Sequence, residues 1–329
     1  MQLVNKKIRF KADQQMIVLL ISLLIFVVFS FFLPNFFSTG NLIAMMRSIA
    51  VLAILGLGMA IVVIGRGIDL SMVALMAVPT ALVMTMVEGG AGLPFSIMVG
   101  VGFAVAMGMI NGLLVAYAEI PALFVTLAMG LVLAGLGQVG ILKSDMVSWP
   151  EGMDPVRWIG GSDIWGVPSS VLVAAAMFFF VNWFLKKTKV GRFIYSIGDN
   201  PAAARTTGIS VRPIVVLQYV LAALIAVLAG FVMASSNSLM DTRIYNLSLI
   251  YDIILVVVLG GVGLSGGRGG VWSVLVGTLL VGVVFNGMTI MNFALDIQDL
   301  FKGVILLIAV TVDSFLNPRN EETGQQGDI

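Results

Sequence analysis

Six polar side chains lie within or against long apolar stretches of this sequence: Asp69, Ser71, Asn111, Gln138, Asp252 and Asn286. A polar group at membrane depth is costly to leave unpaired, so each is a candidate for a functional contact. Amides and hydroxyls suit hydrogen bonding to an uncharged, hydroxyl-rich solute, and Gln218 and Asn237 offer further amides of the same kind. Asp69 follows Gly65-Arg66-Gly67. It reads either as an ion pair with Arg66 where a helix begins, or as a carboxylate anchoring a broken helix beside a path. Ser71 reads as part of that path or as a cap on the next helix. Asp252 either faces the path, or pairs with Arg243 or another helix. Bond-making chemistry has little to work with. The chain has no histidine and no cysteine, which removes histidine bases and the usual nitrogen and sulfur metal ligands. It also lacks the G-x-x-x-x-G-K-[ST] phosphate cradle. We therefore expect no catalytic residue, no metal and no cofactor in this chain.

The elements that must position these side chains are set by composition. Of 329 residues, 59% are hydrophobic and 11% charged, with a mean hydropathy of +1.08. A soluble domain carries about 25% charge, so the expected fold is an all-α, polytopic transmembrane bundle embedded in a lipid bilayer. About ten spans are expected, near 16–33, 42–64, 70–87, 93–117, 121–142, 168–186, 214–236, 247–262, 270–292 and 297–316. Each approaches the roughly 20 residues that cross a hydrocarbon core. Gly and Pro punctuate several spans, Pro79 for example, so one of the spans is expected to be broken or re-entrant. The first span follows Lys6, Lys7, Arg9 and Lys11 and is too long for a signal-peptide core, so it reads as an uncleaved helix. With the N-terminus in the cytoplasm, most of the 18 lysines and arginines fall on the cytoplasmic side, the exceptions being Arg47, Lys143, Arg157, Arg243 and Lys302. This asymmetry places both termini inside. A net charge of +1 gives no reason to expect a nucleic-acid partner.

Two soluble stretches interrupt the single transmembrane domain of residues 1–329. The outer one, 143–167, carries Trp149, Trp158 and Trp165 among charged residues, and reads either as an interfacial belt or as a dock for an external partner. The inner one, 187–213, contains Asp199-Asn200-Pro201, a helix start with Asn200 at the N-cap and Pro201 at the first position. Ala202, Ala203, Ala204 and Arg205 continue the helix, and Gly208 ends it at C′. So short and small-sided a helix has little apolar face to rest on lipid. It fits a cleft in another protein.

The segment YSIGDNPAAARTTGISV at 195–211 resembles the cytoplasmic coupling segment of ribose-type ABC permeases, of the branched-chain and monosaccharide permease superfamily. GIDLS at 67–71, PALFVTLAMG at 121–130 and LGGVGLSGGRGGVW at 259–272 follow the same pattern in the same order. Met72-Val73-Ala74 stands where that family has Val-Gly-Ser, and Ile250-Tyr251 where it has Glu-Leu before Asp252. The resemblance implies a permease subunit of a bacterial inner-membrane importer for a small sugar or sugar-like solute. It implies a separate ATPase subunit carrying ATP and magnesium, docked on Asp199–Gly208, a periplasmic sugar-binding protein, and a second permease copy or paralogue. An ion-coupled secondary transporter is the alternative. An inverted repeat of spans two to five and seven to ten is also expected. Gly102, Asn111 and Gly112 recur in spacing as Gly277, Asn286 and Gly287, which would set the two asparagines at equivalent depth.

Overall fold

The structure is a computed structural model and describes residues 14–141, 145–246 and 248–316. The basic residues 6–11, Lys143, Arg319 and both termini lie outside the described residues. The chain runs through α1 (Gln14–Phe32), α2 (Thr39–Ile64), α3 (Met72–Glu88), α4 (Leu93–Ala116) and α5 (Ala122–Leu136), which continues as a π-helical turn at Gly137–Ile141. An outer stretch follows, with β1 (Met146–Ser148), a 3-10 helix at Glu151–Ile159, β2 (Asp163–Ile164) and β3 (Val167–Pro168). Then come α6 (Ser169–Lys187), α7 (Lys189–Asp199), α8 (Pro201–Thr206), α9 (Val211–Asn237), β4 (Leu239–Asp241), α10 (Leu249–Leu259), α11 (Val271–Ile290) and α12 (Leu295–Leu316). The fold is an all-α polytopic bundle, and every expected span has its helix.

Among the described residues, seven helices are long and apolar enough to cross a membrane: α1, α2, α4, α5 with its π turn, α6, α9 and α11. Two of the expected spans hold helices short for a membrane crossing. Helix α3 has 17 residues and α10 only 11. Both are largely buried; α3 is preceded by non-helical backbone at 65–71, and α10 follows a 3-10 helix at Thr242–Asn246. Irregular backbone is tolerated at depth when protein surrounds it, and Met72 through Val78 are each at most 1% exposed. Pro79 does not break α3, which runs through it. The break lies ahead of the helix.

Helices α2, α3 and α9 form the centre, and α1, α4, α5, α6, α11 and α12 surround them. Outward residues such as Leu131, Phe179 and Leu307 are apolar and exposed, as lipid contact requires. The connections sort to two ends. At one end, Arg66 bonds the α7 terminus, Tyr195 bonds Gly269, and Arg212 pairs with Glu119 at 2.8 Å. At the other, Arg47 pairs with Asp163 at 2.9 Å and β1 pairs antiparallel with β4.

The packing partners are those an inverted repeat requires. Helix α4 packs on α9 while α11 packs on α2; α3 packs on α9 while α10 packs on α2; α3 meets α5 while α10 meets α12. The residue echo is weaker than the sequence suggests. Gly277 lies against the α10 backbone, whereas a Cβ at Gly102 would meet nothing within 4 Å. The asparagines lie toward opposite ends of the bundle, where an axis in the membrane plane places equivalent residues. Asn111 bonds Ser71, beyond the C-terminal end of α2, and Asn286 bonds Asn41 at its N-terminal end. The 26 residues of α2 separate those ends by about 39 Å at 1.5 Å per residue.

Candidate translocation and coupling sites

The α2–α3 break is a built turn. Gly67 N–H donates to Val62 O (2.9 Å) and Arg66 N–H to Val63 O (3.0 Å), the paired bonds of a Schellman motif. Asp69 then turns back on the chain. Its Oδ1 accepts from the Ser71 backbone N–H at 3.0 Å and from the Ser71 hydroxyl. Ser71 Oγ in turn accepts from Asn111 Nδ2 of α4 at 2.9 Å. Ser71 therefore does not cap α3 with its side chain; it links Asp69 to α4. Asp69 and Arg66 form no ion pair among those of the described residues; the Arg66 guanidinium goes to backbone carbonyls instead. Asp69, Ser71 and Asn111 are all 0% exposed, and Asp69 Oδ2 and Asn111 Oδ1 have no hydrogen-bond partner among the described residues. In this conformation the cluster is enclosed by the described residues of this chain. Gln218 joins its surroundings, pressed against Gly65, and Tyr219 is buried beside Gly67.

Replacing Ser71 by alanine removes the acceptor of one buried amide and a donor to one buried carboxylate. The expected cost is about 1–3 kcal/mol, because the partners left behind stay desolvated. Thermal unfolding in detergent reads it. Asn111→Ala on top of Ser71→Ala should add less than it costs alone, and additive losses would contradict the linkage.

The other polar candidates are not brought to this cluster. Asn286 and Asn41 exchange two amide hydrogen bonds, each 3.0 Å, tying α11 to α2. Asp252 pairs across helices with Lys302 of α12, at 3.1 Å through Oδ1 and with a 3.2 Å hydrogen bond to Oδ2. Arg243 is engaged by Asp241 at 2.9 Å. That hydrogen bond holds the Asp241 carboxyl below the usual carboxylate range. Lys302 also donates to Ser248 Oγ at 2.6 Å. Gln138 is exposed on the π-helical turn. Asn237 is exposed at the end of α9.

The inner segment is more structured than a loop with one short helix. Helix α7, capped by Thr188 Oγ1 accepting from Gly191 N–H (3.0 Å), buries Ile194 and Ile197 and turns Arg192 and Ser196 outward. Tyr195 donates to Gly269 O at 3.0 Å, and burial pushes its phenol pKa up, so it stays a donor. Helix α8 starts as its residues dictate. Asn200 Oδ1 accepts from Ala203 N–H at 3.0 Å and Pro201 takes the first position. Gly208, at φ 82°, ends it with Gly208 N–H donating to Arg205 O and Ile209 N–H to Ala204 O. Ala204 is buried against the body, while Ala202, Ala203 and Arg205 face outward.

At the opposite end, Val147 stands opposite Met240 in the β1–β4 pair, and Arg157 reaches Ser238 Oγ at 2.8 Å. The outer stretch is thereby fixed to the end of α9. Trp165, at φ 52° on the β2–β3 turn, is fully exposed.

A buried multi-helix core with lipid-facing apolar flanks and ordered segments at both ends defines an integral, multi-pass membrane protein. The chain belongs to the family described as branched-chain amino acid transport system / permease component, which matches residues 41–310. It is thus a transport permease rather than an enzyme. It is 34% identical over 298 residues to the ribose import permease protein RbsC of Escherichia coli K12, covering 90% of this chain and 92% of the relative. It is 33% identical over 327 residues to RbsC of Bacillus subtilis 168, covering 95% and 97%. Against the galactofuranose transporter permease protein YtfT of Escherichia coli K12 it is 31% identical over 316 residues, covering 94% and 92%. No solved structure matches the chain.

Proposed function

We propose that this chain is the membrane-spanning subunit of an ATP-driven bacterial importer that carries a small sugar or sugar-like solute across the inner membrane. The observation that carries this reading is α8: a helix fixed at both ends by its own caps, anchored by Ala204, and offering Ala202, Ala203 and Arg205 to a partner. The family and the sugar-permease names of its relatives support the solute class. An ATPase subunit, holding ATP and magnesium, docks on Asp199–Gly208. A periplasmic binding protein delivers solute to the outer end, where the 143–167 segment stands. A second permease copy or a paralogue completes the membrane pair, and both termini lie in the cytoplasm.

Asp69, Ser71 and Asn111 move with the path rather than line it in the closed state, since all three are enclosed by α3, α4 and α9. The α5 flank that carries Gln138 is left for the second permease or lipid. Asp252 and Asn286 hold helices together near the outer end.

The absence of cysteine makes orientation directly measurable. Thr188→Cys is expected to resist an impermeant maleimide in intact spheroplasts and to react once the membrane is opened. Labelling in the intact cells would contradict the placement of α7 and α8.

A further inference from the structure

Arg66 occupies a position that favours glycine. It is the C′ residue of the Schellman turn ending α2, and its φ is 69°. A side chain in this left-handed region is strained, by about 1 kcal/mol. Its guanidinium offsets that cost by reaching carbonyls distant in sequence. Nε donates to Gly198 O at 2.8 Å and Ser265 O at 2.9 Å, and Nη2 donates to Asp199 O at 2.8 Å. Gly198 and Asp199 end α7, where the last carbonyls of a helix have no helical donor and a cation is favoured. Ser265 belongs to the glycine-rich 259–270 turn.

The backbones meet directly at the same place. Gly267 N–H donates to Ile64 O at 2.8 Å. A Cβ on Gly198 would collide with Ile64 O and Gly267 N, and one on Gly267 would stand 2.8 Å from the Asp199 backbone. The missing side chains allow α2, α7 and the 259–270 turn to touch, and Arg66 bonds across all three. Three residues further on, Asp69 holds Ser71 at the start of α3, and Ser71 holds Asn111 of α4.

We infer that Arg66 is the positioning residue that couples the α7–α8 segment to the membrane core, its planar fork making α7, the 259–270 turn and the α2–α3 break move as one piece. Displacement of α7 by a docked ATPase is then delivered to Asp69 and α3. This inference rests on the proposed docking of an ATPase at α8. A single contiguous junction carries it, with no reliance on spatial proximity alone.

The discriminating variant is Arg66→Gly, which removes the fork while relieving the left-handed backbone. Compare it with the parental chain in the assembled complex, reconstituted in proteoliposomes with binding protein and ribose. Arg66→Gly should fold with an unfolding midpoint no lower than the parental one and keep basal ATP hydrolysis. It should lose stimulation by the loaded binding protein, and import should fall about tenfold or more. Arg66→Lys should recover only part, because an ammonium is a point charge without the planar fork. Gly198→Ala, which pushes a methyl at Ile64 O, should uncouple in the same way. Parental import and stimulation in Arg66→Gly, or full rescue by lysine, would overturn the inference. So would loss of folded Arg66→Gly protein, since Arg66 would then be holding the fold rather than coupling it. A parental complex without ATP-driven import would overturn both this inference and the importer reading. Failure in the variants alone overturns Arg66 and leaves the importer reading standing.

Discussion

Lys302→Ala is expected to destabilise the protein by about 3–5 kcal/mol, the cost of leaving a buried charge without its partner. The Lys302 and Asp252 side chains are only 11% and 16% exposed. Lys302 bonds Ser248 Oγ at 2.6 Å, lies 3.4 Å from Asp299, and sits 5.0 Å over the Phe285 ring. Helix α10 is 11 residues long, about two turns shorter than a helix needs to span the core. It depends on this contact to α12 more than a full-length span would. The damage should come from the stranded carboxylate rather than from the lost attraction. Lys302→Met together with Asp252→Leu should therefore recover most of the loss, as replacing both partners of a buried pair by apolar groups often does. Thermal unfolding of the detergent-solubilised chain checks both. A double variant no more stable than Lys302→Ala would contradict the assignment of Asp252 to a helix-joining pair and return it to the path.

Ala203→Glu and Gly208→Val are expected to reduce import by about tenfold or more while the chain still inserts and folds. Ala203 is exposed on α8 and makes no side-chain bond, so a glutamate there disturbs only a partner that accepts a methyl. Gly208 has open space around it, with nothing within 4 Å of a Cβ. Substitution therefore acts through the backbone alone. At φ 82° valine is strained more than alanine, since β-branching crowds the left-handed region further. Gly208→Val should consequently be worse than Gly208→Ala, in the order of backbone strain rather than of polarity. Binding-protein-stimulated ATP hydrolysis in the assembled complex is the readout. Equal, near-parental activity of all three variants would remove α8 from the docking surface.

What was legible in the sequence was local. Asn200, Pro201 and Gly208 act within one or two turns of themselves, and the structure bonds them as their types dictate. The helices followed from apolar run lengths, and the repeat is visible in which helices pack together. The ends of α3 and α10 were legible to within about three residues; the backbone ahead of them, irregular at 65–71 and a 3-10 helix at Thr242–Asn246, was not, because Ile68, Leu70 and Ile244 continue the hydropathy of a span. Helix α7 was missed although Phe193, Ile194 and Ile197 recur at helical spacing between Lys189, Arg192 and Ser196. Its basic face made the stretch read as a loop. Arg66 was illegible for a different reason. Its partners are 132, 133 and 199 residues away and are carbonyl oxygens, which every residue possesses and no side-chain pattern announces. The Asn41–Asn286 pair, 245 residues apart, was hidden by the same non-locality.

The most direct test of the central claim is uptake of a labelled sugar, one that the binding protein holds, by proteoliposomes that contain this chain alone, or this chain with its ATPase and binding protein. The account predicts uptake only in the complete system, requiring ATP on the side of α7 and α8 and unaffected by collapsing proton and sodium gradients. Uptake by the chain alone, driven by an imposed ion gradient and indifferent to ATP, would contradict it.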